Sequence, residues 1–164
     1  MFGLTIYIFF FNQPFGFDYI CIIMSRWMAL DIGQKRTGIA ITDESRIIAT
    51  GLDTVRTHLL ESFLKAYLLQ NKVSLIVVGF PRQMNHEISD AMKYIEPQYN
   101  RLRKVFNEIP FEYYDERFTS KLAHDVMLQG GLKKKQRQEK SLVDKISAVL
   151  ILQAYMEHSN FLQK

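Results

Sequence analysis

Three acidic residues stand where predicted secondary-structure elements begin or end. Asp31 lies near the end of an apolar strand-like segment, residues 26–32, and Glu116 follows a second one, residues 110–114. Asp144 lies in the first turn of the strongly apolar final helix. Because an unpaired charge is costly to bury, acids at these positions indicate chemistry rather than packing.

Each acid also has a simpler structural interpretation. Asp31 could cap the turn of a hairpin, although the nearby glycine already supplies the turn chemistry. Glu116 or its neighbour Asp115 could lie at a helix N-terminus and be stabilised by the helix dipole. The sequence does not determine which of those two side chains faces a site. Asp144 follows Ser141 at the spacing of a capping box.

The face of the final helix that carries Asp144 is apolar, which argues against a simple cap. At helical spacing this face continues through Ser147, Ala148, Ile151 and Tyr155. Its small residues near the start would let the helix approach the sheet closely. An acid on an inward face needs a partner, and a cation is the natural one.

Carboxylates that converge from two strand ends and one helix could bind Mg²⁺, which prefers carboxylate oxygens and retains water. Two such ions about 4 Å apart could activate a water and stabilise the leaving oxygen in phosphodiester hydrolysis. Basic residues flank the acids, as contact with a phosphate backbone would require, although the lysine run could equally be a solvated loop. These residues are Lys35, Arg36, Arg117, Lys133, Lys134 and Lys135.

The hydrophobic periodicity predicts the element order βββαβαβαα. The predicted strands are residues 26–32, 38–43, 46–55 with a bulge at Gly51, 75–80 and 110–114. The predicted helices are residues 58–70, one capped by Ser89 and kinked or divided by Pro97, residues 120–128, and one from Ser141 to about residue 157. Three early strands joined by short turns imply antiparallel pairing, and later strands that alternate with helices imply parallel additions. We therefore expect an α/β fold with a mixed five-stranded sheet and helices on both faces.

The composition fits one globular domain with a mild preference for anionic partners. The chain has 164 residues, of which 48% are hydrophobic, and a formal net charge of +4. Its one cysteine, Cys21, cannot form an internal disulfide, and no Cys/His cluster has zinc spacing. These features favour a reducing compartment, and we expect a cytoplasmic location.

The first residues differ in composition from the rest of the chain. Residues 1–25 contain six of the twelve phenylalanines and no lysine or arginine. A signal peptide would need a basic start, and Asn12, Gln13 and Pro14 interrupt any membrane-spanning run. We expect translation from Met24, with residues 1–24 outside the domain, a nuclease domain at 25–158 and a tail at 159–164.

Four blocks of sequence, in order, carry a resemblance to a known family. They are ALDIGQKRTGIAITD at residues 29–43, IVVGFPRQMNH at 76–86, DERFTS at 115–120 and VDKISAVLILQAYM at 143–156. Together they resemble the YqgF-type Holliday junction resolvase-like proteins, also described as pre-16S ribosomal RNA nucleases. The resemblance covers nearly the whole domain, from Met28 to Met156.

The resemblance implies a ribonuclease H-like fold with a RuvC-type acidic site that uses Mg²⁺ or Mn²⁺. The family's acids fall on Asp31, Glu116 and Asp144 as catalytic residues and metal ligands, and its basic positions fall on Lys35, Arg36 and Arg117. The expected activity is nucleic-acid cleavage, either in maturation of the pre-16S rRNA 5′ end or at branched DNA, by a monomer or a homodimer with no membrane partner.

Other functions compete with this interpretation. The Asp31-x-Gly33 pattern with Gly38 also resembles the first phosphate loop of actin-like ATPases and sugar kinases, which need a second domain for which this chain has no room. A non-catalytic nucleic-acid-binding or ribosome-assembly factor could have kept the fold. A purely structural α/β domain, in which the acids are caps, would bind neither Mg²⁺ nor Mn²⁺.

Overall fold

A computed structural model describes residues 25–81, 90–115 and 139–162. Its strands are β1 Arg26–Ile32, β2 Arg36–Thr42, β3 Ala49–Arg56, β4 Val73–Phe80 and β5 Phe111–Asp115. Its helices are a 3-10 turn at Thr57–Leu59, α1 Leu60–Leu68, α2 Met92–Val105 and α3 Lys140–Leu162. The predicted helix at residues 120–128 lies outside the described residues.

The five strands form one mixed sheet in the order β3-β2-β1-β4-β5. Strand β1 pairs antiparallel with β2 and parallel with β4, while β2–β3 is antiparallel and β4–β5 parallel. The predicted mixed sheet is confirmed. Since β1 is the middle strand, both of its edges are hydrogen-bonded, and a side chain on it points to one face of the sheet or the other.

Helices α1 and α2 cover one face of the sheet. Alternate residues of β1 (Met28, Leu30 and Ile32) are buried on this face with residues of both helices. The apolar stripe predicted for α2 is confirmed, because its buried residues recur at helical spacing: Met92, Ile95, Tyr99 and Leu102.

Helix α3 covers the opposite face and packs across β1, β2 and β3. The sheet residues beneath it are small, among them Ala29, Ala40 and Ala49. They pack against apolar residues of α3, of which Ala148 and Ile151 are fully buried. The inward apolar face predicted for the final helix is therefore confirmed, and the small sheet residues allow close packing.

Strand β3 contains a bulge, at which its register with β2 shifts by one residue. Ile39 pairs with Asp53 and the next residue, Ala40, pairs with Gly51, so Leu52 is left without a register partner. The predicted bulge is confirmed one residue from the expected glycine. Gly51 faces α3, where a Cβ would lie 2.5 Å from the Lys145 Cγ.

Two details of the helices differ from the prediction. Helix α2 continues through Pro97 without dividing, since buried residues on both sides of the proline hold it to the sheet, and its N-cap is Ala91 rather than Ser89. Helix α3 begins before Ser141, whose hydroxyl donates 2.9 Å to the Glu139 carboxylate instead of capping the helix. None of the helices within the described ranges is both long and apolar enough to cross a membrane.

The turn between β1 and β2 is fixed by buried threonines. The Thr57 hydroxyl donates to the Gly33 carbonyl at 2.7 Å and lies 3.1 Å from the Thr37 hydroxyl, while the Thr57 N–H donates to the Lys35 carbonyl. Thr37 and Thr57 are both buried. The turn that presents Arg36 is therefore held by the first residue of the 3-10 turn that follows β3.

Replacing Thr57 by valine is expected to lower the free energy of unfolding by about 1–3 kcal/mol, because valine keeps the shape but removes the buried hydrogen-bonding group. Urea unfolding would measure the loss. Thr50→Val is the matched control, since Thr50 is exposed and its hydroxyl makes only a long contact of 3.4 Å to the Ile41 carbonyl. Equal losses in the two variants would contradict this assignment.

Candidate active site

Asp31 lies on the middle strand of the sheet and faces helix α3. It alternates with Leu30 and Ile32, which are buried on the opposite face. Its register partner across the antiparallel pair is Gly38 on β2. Directly opposed residues in such a pair present side chains on the same face, so the Asp31 carboxylate has a glycine beside it rather than a side chain.

Gly38 allows the first turn of α3 to approach the sheet at this point. A Cβ on Gly38 would overlap the backbone carbonyl of Asp144 and would lie 3.1 Å from the backbone nitrogen of Lys145. The main chain of α3 thus occupies the space that any side chain at position 38 would need. Glycine inside a strand often marks such a close backbone approach, and here it brings Asp144 next to Asp31.

The proximity of the two carboxylates changes the titration of Asp31. Burial, together with the charge of Asp144, raises the pKa of Asp31 from 3.8 to about 7, and a hydrogen bond from the Ser147 hydroxyl partly opposes the rise. Ser147 lies one turn after Asp144 and is itself buried. Paired acids of this kind are typical of sites where a cation or a shared proton resides.

Arg36 neutralises the second acid in this structure. Its Nε donates 2.9 Å to Oδ2 of Asp144, and both side chains are partly exposed. The capping-box alternative for Asp144 is therefore wrong, because this carboxylate reaches the sheet rather than the Ser141 backbone. The cation beside Asp144 in this structure is an arginine, and a metal ion at this position stays a prediction.

Glu116, Arg117, Lys133, Lys134 and Lys135 lie outside the described residues, and their predicted roles remain predictions. The position of the end of β5 is relevant to Glu116, which is the second residue after Tyr114 in the sequence. Strands β1 and β5 both run parallel to β4, so their carboxyl ends lie at the same edge of the sheet. They are two strands apart, about 10 Å. Asp115 closes β5 opposite Phe80 at this edge.

The carboxylates of Asp31 and Asp144 suit a hard cation. Two carboxylates are too few to form a complete metal site. Within residues 25–81, 90–115 and 139–162, no group of three His, Cys, Asp or Glu side chains could hold a metal ion. The pair that is described, Asp31 and Asp144, supplies only oxygen ligands and carries charge repulsion that a divalent cation would relieve. The residues present therefore fit Mg²⁺ or Mn²⁺, with a third ligand still required.

Two contributors were not anticipated from the sequence. The first is the close approach at Gly38, for which a signal existed: a lone glycine inside the β-rich segment RTGIAIT. The second is the hydrogen bond from Ser147 to Asp31, because the sequence placed Ser147 only on the inward face of its helix.

The strand order, the central acid and the long helix behind it define a ribonuclease H-like α/β fold. The same fold is found in RuvC of Thermus thermophilus, solved in complex with a Holliday junction substrate, with a TM-score of 0.51 and 16% sequence identity. The match covers 80% of this chain and 96% of the RuvC chain.

The family follows from the sequence comparisons. Residues 25–158 match the family model described as RuvX, Holliday junction resolvase, and the chain belongs to that family. A protein of Bacteroides thetaiotaomicron is 55% identical over 138 residues, covering 84% of this chain and 100% of the relative. One from Flavobacterium johnsoniae is 46% identical, with the same coverage of both chains. Both carry the provisional name pre-16S rRNA nuclease.

Proposed function

We propose that this protein is a metal-dependent nuclease that hydrolyses phosphodiester bonds during maturation of the pre-16S rRNA 5′ end in the cytoplasm. The observation that carries the proposal is the Asp31–Asp144 pair, which two distant segments bring together over Gly38. Glu116 is the third proposed ligand, supported by the direction and position of β5. The RNA substrate is taken from the names of the relatives.

Bound Mg²⁺ or Mn²⁺ would activate a water and stabilise charge on the leaving oxygen. The chain's own residues set the conditions for this step. Asp31 is held by Ser147 on a central strand and cannot move far, so it fixes one ligand position. Asp144 would supply a second ligand through the carboxylate whose Oδ2 accepts from Arg36, and the Arg36 guanidinium lies beside it as a charge-assisted donor for a substrate phosphate.

A second candidate function is resolution of four-way DNA junctions. It is favoured by the description of the family, Holliday junction resolvase. Cutting two strands of a junction symmetrically requires two active sites, so this function predicts a two-fold homodimer, whereas an rRNA end requires one site.

The test is a cleavage assay on the full chain with end-labelled precursor rRNA, single-stranded RNA, duplex DNA and a four-way junction, each with Mg²⁺, Mn²⁺ or EDTA. We expect the precursor to be cut best, and only with metal. Asp144→Asn is expected to lower the rate about 1,000-fold, which corresponds to about 4 kcal/mol of transition-state stabilisation. Asp53→Asn, an exposed carboxylate on β3, is the matched control and should cut normally.

Each alternative outcome has a defined meaning. Preferred cleavage of the junction would replace the rRNA role by the resolvase role. Metal-dependent binding of nucleic acid without cleavage would overturn the nuclease proposal in favour of a ribosome-assembly factor. Cleavage that survives in Asp144→Asn would show that the acid pair is not the catalytic centre.

A further inference from the structure

An open groove of about 690 Å³ begins beside the acid pair and crosses the end of the sheet. It starts at Arg36, whose guanidinium also touches Asp144, so the groove and the proposed active site share a residue. It is also lined by Gln98 on α2, the helix that covers the opposite face. Its lining comprises Gln34, Lys35, Arg36, Arg56, Thr57, His58 and Gln98.

All the side chains that line this groove are basic or neutral. It contains Lys35, Arg36 and Arg56, together with His58, and no carboxylate lines it. Lys35 and Arg56 are exposed, and neither has a carboxylate partner among the described residues. Exposed cations that no acid of the protein neutralises are available to an anionic ligand.

The sheet register arranges two of these cations as neighbours. Arg36 and Arg56 are direct partners in the antiparallel β2–β3 pair, so their side chains lie on the same face, the face of α3 and Asp31. The Cα atoms of opposed residues in such a pair are about 5 Å apart, so the two arginines present neighbouring guanidinium groups to one stretch of an anionic backbone. Like charges at this spacing repel one another unless an anion bridges them.

We propose that this groove binds consecutive backbone phosphates of the polynucleotide on one side of the bond that is cut, with Arg56 and His58 as phosphate contacts beyond Lys35 and Arg36. This inference rests on the proposed function only for the position of the cut. The amides of Gln34 and Gln98 can donate to phosphate or sugar oxygens, and no Phe, Tyr or Trp side chain lines the groove. The contact is therefore independent of sequence.

The experiment measures binding rather than cleavage. A fluorescent 20-nucleotide RNA is titrated with the full chain in EDTA at several salt concentrations, and the slope of log affinity against log salt is compared between variants. For Arg56→Gln we expect the slope to fall by about 0.7 and the affinity at 0.1 M salt to fall about fivefold, since one phosphate contact to a single strand is lost. Arg103→Gln removes the same charge from an exposed site on α2 outside the groove and should leave the slope unchanged.

The outcomes separate this inference from the proposed function. An unchanged slope in Arg56→Gln overturns the groove even if the parent cleaves RNA, whereas a reduced slope supports it even if the parent cleaves nothing. A mononucleotide is a third arm: at 1 mM it should displace little RNA, because it satisfies only one contact. Complete displacement by the mononucleotide would assign the groove to small anions and overturn the proposal.

Discussion

Asp31→Asn is expected to abolish cleavage and, in the absence of metal, to make the protein more stable. The amide keeps the size of the carboxyl group and can still accept from Ser147, but it has no charge to repel Asp144. We expect the cleavage rate to fall about 1,000-fold, or about 4 kcal/mol. In EDTA at pH 7.5, the free energy of unfolding should rise by about 1–3 kcal/mol.

The sign of the stability effect follows from the raised pKa of Asp31. In the folded protein this carboxyl keeps its proton up to about pH 7, whereas in the unfolded chain it loses it near 3.8. Between these values the folded state binds more protons, so its stability falls as the pH rises. The parent should therefore lose stability between about pH 4 and pH 7 relative to Asp31→Asn, whose profile lacks this component.

Urea unfolding in EDTA at pH 4.5, 6 and 7.5 would measure the effect. Asp53→Asn serves as the control, because Asp53 is exposed and its substitution should leave both activity and the pH profile as in the parent. Equal stability of Asp31→Asn and the parent at all three pH values would show that the two carboxylates do not repel each other in the free protein. Addition of Mn²⁺ should stabilise the parent and not Asp31→Asn.

Gly38→Ala is expected to damage both stability and activity through a single methyl group. The new Cβ would overlap the Asp144 carbonyl, which is backbone and cannot rotate away. Helix α3 must shift, at a cost of about 3 kcal/mol in the free energy of unfolding. Since Asp144 moves with the helix, a displacement of about 1 Å should slow cleavage about 100-fold.

Gly51→Ala is a matched control for this substitution. Gly51 lies on the same face and under the same helix, but its Cβ would meet the Cγ and Cδ of Lys145 at 2.5 and 2.8 Å. A lysine side chain can change rotamer at little cost, so Gly51→Ala should lose less than about 1 kcal/mol. Thermal unfolding and the cleavage assay would compare the two, and similar losses would refute the role of the Asp144 backbone contact.

The strands could be predicted from the sequence because the pattern of apolar residues within each short segment indicates which side chains are buried. The apolar run of β4 and the alternating burial around Asp31 in β1 can both be recognised from neighbouring residues. Proline has an equally local signal, yet α2 is not divided at Pro97. The packing of α2 onto the sheet outweighed one missing backbone hydrogen bond.

The contacts within the site could not be predicted from the sequence in the same way. Asp31 and Asp144 stand out in the sequence because acids are rare on inward faces, but the Arg36–Asp144 ion pair joins residues 108 positions apart. No periodicity encodes such a pair, and Arg36 was predicted only to contact nucleic acid. The groove depends similarly on the register of β2 with β3, which aligns Arg36 with Arg56.

The separation of the two acids along the chain also affects when the protein can become active during its synthesis. Asp31 belongs to β1 and Asp144 to α3, which are the first and last elements of the described residues. Asp144 follows Asp31 by 113 positions, which take roughly 6–23 s to add at about 5–20 residues per second. Until then a nascent chain holds Asp31 without its partner and leaves the α3 face of the sheet uncovered. Under the proposed function, the acid pair is therefore incomplete until helix α3 has been synthesised.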